Sequence, residues 1–289
     1  MKLALGTAQF GLDYGVANQQ GQISYCEVQG ILAQASASGV DTLDTAMVYG
    51  DSEQRLGEFG VQNWKVVSKL PAIPNGYHDI FKWVEDSVNE SLRQLKVKSL
   101  YGLLLHRPQQ LLEQNGDRLF SALQKIKNAG MVKNIGVSIY DPGQLDELFA
   151  RFQLDIIQAP FNIIDRRLID SGWMTRLKEK NVELHVRSVF LQGLLLMEPE
   201  ARPQKFNRWS SLWIQYDAWL KQSNLTSLQS CLRFVLSFVE INKVVIGVDS
   251  QIQLKEILEA AIGPIPSLPD TIATNDQQLL NPTHWAALS

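Results

Sequence analysis

Cysteine is almost absent from this chain: there are two in 289 residues, Cys26 and Cys231, far apart and at no C-x-x-C spacing. A disulfide framework and a structural zinc site are thereby excluded, and a reducing, cytoplasmic setting is the expectation. Charge of one sign is lacking too. With 27 Lys and Arg against 30 Asp and Glu, the formal net charge is −3 and no basic block stands out, so there is nothing to neutralise a phosphate backbone or an anionic membrane surface. Neither nucleic acid nor membrane is an expected partner. No stretch approaches eighteen apolar residues, and the apolar opening of MKLALGTAQFGLDYG is too short for a signal peptide. No linker or shift in composition divides the chain, which predicts a single domain over residues 1–289.

What is present is apolar mass and a regular rhythm. At 45% hydrophobic and 20% charged residues the chain can bury one large core. Lys2 to Thr7 reads as a short strand; the GTAQFG that contains its end lacks the Lys-Ser/Thr of a P-loop, so its glycines are expected to let backbone approach a ligand or to make a turn. Ser24 caps a helix that carries Val28, Ile31, Leu32 and Ala35 and stops at Gly39. Strand and helix then alternate: strands at 40–44, WKVVSKL, 99–106, KNIGVS, LDIIQAP, VELHVR and KVVIGV, with helices between them, including one over Ile169–Lys180 and a last one over Gln251–Ala261. Eight strands and eight helices in strict alternation predict an α/β fold of the (β/α)8 TIM-barrel type in preference to an open doubly wound sheet. One segment breaks the rhythm. Ser188 to Asn224 is too long for an ordinary connection after strand seven, and it carries Trp209, Trp213, Tyr216 and Trp219.

The barrel reading gives meaning to four side chains. Asp44 falls at the C-terminal end of strand two, Lys69 at that of strand three and His106 at that of strand four, while Tyr49 lies in the loop after strand two. Adjacent strands of a barrel deliver their C-terminal ends to one face, so the four can converge above its mouth. Each alone has a plain structural reading: a turn cap, a packed ring, a surface lysine, a satisfied imidazole. Their common placement favours a site.

LDTAMVYGDSE, VVSKL and LLLHRP, with LGTAQFG ahead of them, resemble the aldo-keto reductase superfamily over nearly the whole chain. The resemblance implies a catalytic set of Asp44, Tyr49, Lys69 and His106. Tyr49 would give a proton to a carbonyl oxygen as hydride arrives from nicotinamide C4. An ordinary phenol, with a pKa of about 10, would need help from a neighbouring ammonium at Lys69, held in place by Asp44. His106 would orient the carbonyl or share in proton delivery. The same resemblance implies cofactor contacts from Gly6, Thr7, Asp44, Ser138, Gln158, Arg187, Gly247, Asp249, Gln253 and Glu256, with no metal, a small-molecule carbonyl substrate and a monomer. Asn162, in Q-x-x-x-N with Gln158, is either structural or ligand-binding.

Four residues depart from the family's pattern. Ile139 replaces an asparagine after the strand-five serine, Arg187 an aromatic after strand seven, and Ile257 an asparagine after Glu256. A guanidinium can stack as a plane, bind a phosphate or carboxylate, or make a structural salt bridge. Asp249 stands where many members place a base that pairs with the 2′-phosphate of NADP; an acid there would repel phosphate and could accept from a ribose hydroxyl. NADP(H) is thus the family expectation and NAD(H) the alternative raised by Asp249. Trp213, Tyr216 and Trp219 have the spacing of a helix's buried face, which is the favoured reading, with a pocket wall as the alternative and Tyr77 and Phe161 as weaker candidates for it. Two other functions compete with a carbonyl reductase: a cofactor-bound sensor or scaffold with little turnover, and a metal-dependent barrel hydrolase or aldolase, for which a His-x-His or carboxylate cluster is missing; Lys69 could instead form a Schiff base, but a carboxylate, a histidine and a tyrosine beside it fit proton transfer better.

Overall fold

In the computed structural model, which describes residues 1–16, 18, 21–74 and 76–288, eight parallel strands close into one barrel in sequence order. They are β1 (Leu3–Gly6), β2 (Thr42–Asp44), β3 (Lys65–Leu70), β4 (Leu100–Leu105), β5 (Val132–Ser138), β6 (Ile156–Pro160), β7 (Glu183–Arg187) and β8 (Lys243–Gly247). The α-helices are α1 (Ala8–Gly11), α2 (Tyr25–Ala37), α3 (Ser52–Phe59), α4 (Ile80–Leu95), α5 (Gly116–Asn128), α6 (Gln144–Arg151), α7 (Arg167–Asp170), α8 (Trp173–Glu179), α9 (Ser210–Ser223), α10 (Ser227–Leu236), α11 (Gln251–Ala260) and α12 (Gln277–Leu280). The (β/α)8 expectation holds.

Side chains on a strand alternate between faces, and the two faces of β3 do different work. Val67 joins Leu104 of β4 and Ile156 of β6 in a small buried cluster of its own, inside the barrel. Ile156 crosses to β4 because Gly102 has no side chain there; a Cβ would stand 2.9 Å from Ile156 Cδ1. Two residues further along β3 and β6 come Lys69 and Gln158, which face the same way one layer nearer the rim. Ser68, between Val67 and Lys69, faces the helices, where its Oγ donates to Glu53 Oε1 of α3 at 2.6 Å and Ser91 of α4 donates to the same oxygen at 2.7 Å. The register sets the rim: Gly6 pairs with Asp44 on one side and Gly247 on the other, Ser138 with Gln158, and Pro160 with Arg187.

One expectation needs revision, and one open alternative is decided. The helix expected over Ile169–Lys180 is two, α7 and α8, broken at Gly172, whose φ of 72° lies in the left-handed region. The long segment after β7 is built rather than loose: 3₁₀ turns at Leu191–Leu196, Pro199–Ala201 and Gln204–Trp209 lead into α9. Leu212, Trp213, Tyr216 and Trp219 are the buried face of α9. Each polar tip has a backbone acceptor, Phe206 O for Trp213 Nε1, Leu195 O for the Tyr216 hydroxyl and Ser267 O for Trp219 Nε1, so burial of the rings leaves no donor stranded. They are core, not a pocket wall. The C-terminal tail wraps onto this insertion, with Trp285 edge-on to Phe206 at 4.9 Å between ring centres. Among the described residues no helix is long and apolar enough to cross a membrane.

Candidate active site

Asp44 ends β2, and both of its carboxylate oxygens are engaged. Oδ1 lies 2.5 Å from Lys69 Nζ, and Oδ2 accepts from Gln158 Nε2 at 2.6 Å. Gln158 Oε1 in turn accepts from Ser138 Oγ at 3.0 Å, and Lys69 Nζ makes a second bond to Thr45 O at 2.9 Å. All four side chains are buried. A polarised chain therefore runs from β5 through β6 to β2 and β3, in the layer above Val67 and Ile156. Burial pulls the Lys69 ammonium down, but the charge of Asp44, the Tyr49 oxygen when it is ionised and the Asp44 hydrogen bond outweigh it, and its pKa stands above the ordinary lysine value. A cation is fixed under the barrel mouth.

Tyr49 reaches this cation from the loop after β2. Its ring centre is 5.2 Å from Lys69 Nζ, and the His106 ring meets it edge-on at 6.2 Å, with 84° between the planes. Among the described residues the Tyr49 hydroxyl has no hydrogen-bond partner. The loop is pressed into place by α1. A Cβ on Gly11 would stand 1.8 Å from Tyr49 O, and one on Gly50 2.2 Å from Gly11 O; only glycine permits that approach. Ser52, the first residue of α3, ties the same loop to the end of β1, donating to Thr7 O at 2.9 Å, with its Oγ 3.0 Å from Thr7 Oγ1. His106 follows β4, its N–H donating to Leu70 O at 3.0 Å. Burial first, then the positive charges of Lys69 and Arg187, bring its pKa down to about 4. The imidazole is neutral at pH 7.

A cavity of about 380 Å³ opens over this group and runs toward β8 and α11. Of the residues expected to touch a cofactor, Gly6, Thr7, Asp44, Arg187, Gly247, Asp249, Gln253 and Glu256 line it, together with Tyr49. Ser138 and Gln158 do not; they are spent in the chain to Asp44. Arg187 lies over the Tyr140 ring, 4.5 Å from its centre, and donates to Ile139 O at 2.9 Å and Ser188 Oγ at 3.1 Å. Among the described residues no carboxylate comes within salt-bridge range of it, so the salt-bridge reading is set aside. Asn162 proves structural: its side chain accepts from Ile164 N and Asp165 N and donates to Ser188 O. Trp213, Tyr216, Trp219, Tyr77 and Phe161 all lie outside the cavity lining; Phe161 is buried between Phe234 and Phe238.

The model of the Aldo/keto reductase family matches residues 2–267. The chain belongs to that family. Among aldo/keto reductases and their relatives, it is 24% identical over 264 residues to the uncharacterized oxidoreductase YqkF of Bacillus subtilis, a match spanning 80% of this chain and 81% of that one. Its fold superposes on the holo form of the aldo-keto reductase AKR11C1 from Bacillus halodurans with a TM-score of 0.73 at 20% identity, over 93% of this chain and 89% of that one. The glycerol dehydrogenase AKR11B4 from Gluconobacter oxydans gives 0.70 at 20% identity, over 92% and 88%. At such identity these two likenesses speak for the barrel alone. Within this aldo/keto reductase, two parts of the site are not legible in the sequence. Ser52 and Glu53 stand in plain view in YGDSE, but a Ser-Glu pair opening a helix reads as capping. Of the two readings open for the GTAQFG glycines, ligand approach or a turn, Gly11 serves neither alone: it makes room for the Tyr49 loop.

Proposed function

We propose that the protein is a nicotinamide-dependent oxidoreductase that reduces an aldehyde or ketone, with Tyr49 as the proton donor. The observation that carries this reading is the buried Asp44–Lys69 pair beneath the Tyr49 ring at the mouth of an open cavity. A nicotinamide cofactor fits the residues present. The cavity reaches from Tyr49 to the first turn of α11, and it ends at Asp249, whose buried Oδ1 has no partner among the described residues. Gly6, Thr7 and Gly247 would line its path, and Gln253 and Glu256 would face its far end. When bound, the reduced cofactor supplies the hydride that reaches the carbonyl carbon.

The side chains then divide the remaining work. Tyr49 transfers its phenolic proton to the carbonyl oxygen, and the fixed Lys69 charge stabilises the phenolate left behind. Asp44 keeps Lys69 charged, and the Ser138–Gln158 chain keeps Asp44 aimed. His106, neutral with its pKa down to about 4, can donate an N–H to the carbonyl oxygen but carries no extra proton to give at pH 7. Its role is therefore orientation and polarisation, not proton delivery. Arg187 adds a second positive charge at this end of the cavity.

Tyr49→Phe is the direct test. It keeps the ring contacts with Lys69 and His106 and removes only the hydroxyl. Reduction of any carbonyl substrate, followed at 340 nm, is expected to fall by roughly 10²-fold or more, with cofactor affinity nearly intact. Turnover at the parent rate would take Tyr49 out of the mechanism.

A further inference from the structure

The end of the cavity away from Tyr49 has a character of its own. Asp249, Gln253 and Glu256 line it where β8 gives way to α11. Three backbone donors there are already committed: Gln253 N to Ser250 Oγ at 3.2 Å, Asp249 N to Gln253 Oε1 at 2.8 Å, and Gln251 N to the Glu27 carboxylate of α2. The Glu27 contact is built in by packing. One turn along α2, Gly30 leaves its Cβ position to the side-chain amide of Gln251, which lies 2.2 Å from it, so α2 and α11 close up and Glu27 is brought to the amide. The result is an acidic end, with three carboxylates, Asp249 and Glu256 in the lining and Glu27 beside it, and no lysine or arginine among the described residues that line it. Arg187 is the one Lys or Arg among the described residues lining the cavity, and it belongs to the Tyr49 end.

This bears on which cofactor can enter. The nicotinamide ring has to lie beside Tyr49, so the adenosine is carried to α11. A ribose 2′-phosphate bears a charge of about −1.5 to −2 at pH 7; it would meet Asp249 and Glu256 in the lining with Glu27 behind them, and find the amides of Gln251 and Gln253 taken. A 2′-hydroxyl is a donor, and the Asp249 carboxylate, which lines the cavity, is an acceptor for it. Resting on the oxidoreductase reading above, we propose that this enzyme selects NAD(H) over NADP(H), Asp249 receiving the ribose 2′-hydroxyl and Glu27 denying the α11 terminus to phosphate.

The test is direct binding, read by tryptophan fluorescence or calorimetry on the full chain, with NADH and NADPH, and with 5′-AMP and adenosine 2′,5′-bisphosphate to localise the effect to the adenosine. NADH is expected to bind at least tenfold more tightly than NADPH, and 5′-AMP more tightly than the bisphosphate. Asp249→Asn, which leaves the α2–α11 contact alone, and Glu27→Gln should each narrow the ratio several-fold, chiefly by strengthening NADPH. Equal or tighter binding of NADPH by the parent protein overturns the inference and leaves the oxidoreductase reading standing. A preference for NADH that neither variant moves also overturns the assignment to these residues. Binding of neither dinucleotide removes both readings together.

Discussion

Replacing Asp44 by asparagine isolates what the buried pair contributes. Lys69 and Asp44 side chains are only 2% and 6% exposed, so no solvent can take over the ammonium when the carboxylate is neutralised. Thr45 O remains as its one full partner, and an asparagine amide would set an N–H against Gln158 Nε2, which now donates to Asp44. Breaking one side of such a pair costs about 3–5 kcal/mol. For a chain of this size, at about 2–4 °C per kcal/mol, the melting temperature should drop by roughly 6–20 °C. The pH dependence gives the loss a signature. In the parent protein the Lys69 pKa is raised above 10.5, so the pair's stabilisation is complete at pH 7 and is lost only as pH climbs past that value. In the variant, burial and Arg187 act on the ammonium without Asp44 to oppose them; its pKa should fall below the unfolded value, and the deficit should shrink as pH rises from 7 to 9.5. Urea unfolding followed by tryptophan fluorescence at both pH values measures it, and Asp44→Asn/Lys69→Met should recover part of the loss. A cost below about 1 kcal/mol that does not change with pH is the behaviour of an exposed pair and would refute the reasoning.

Two further outcomes follow from the site. With its folded pKa down to about 4, His106 should show no ionisation in the pH–rate profile between 6 and 8, and its C2 proton should titrate near 4 by NMR; because the unfolded chain takes up this proton first, His106 makes stability rise with pH from about 4 to 6.5. A midpoint near 6.5 would contradict its burial beside two cations. Gly11→Ala places a methyl 1.8 Å from Tyr49 O and should displace the Tyr49 loop, lowering turnover by more than tenfold while cofactor affinity changes little; crystallography of the variant with Tyr49 unmoved would show that α1 does not position the loop.

How much of this was legible depended on whether the information was local. Lys69 and His106 could be placed at strand ends because KVVSKL and SLYGLLLH announce their own limits, and parallel strands in a barrel bring those ends together whatever lies between. Trp213, Tyr216 and Trp219 declared a spacing of three but not a partner. Phe206 O, Leu195 O and Ser267 O, which decide that the rings are core, lie on other elements. Gly172 broke a helix that its neighbours' periodicity would have continued, since a helical pattern does not reveal which glycine will adopt positive φ. Glu27 is the extreme case: its partner amide is 224 residues away, and only closure of the barrel between β1 and β8 brings α2 beside α11.

The same closure explains why the chemistry sits in one layer. On β3 and β6 the inward positions are Val67 then Lys69, and Ile156 then Gln158, so the polar layer rests directly on an apolar one. Water is excluded from below, which makes the Asp44–Lys69 attraction strong and the loss of either partner costly. Above, the layer meets the cavity through Tyr49, whose loop is held by backbone contact with α1 as well as by hydrogen bonds to the barrel rim, Met47 N to Lys69 O and Ser52 Oγ to Thr7 O. The Lys69 cation is thus set by the barrel itself, and Tyr49 depends in addition on the Gly11 clamp. Damage to the apolar layer should appear first as lost stability, whereas damage to the Gly11 clamp should appear first as lost turnover.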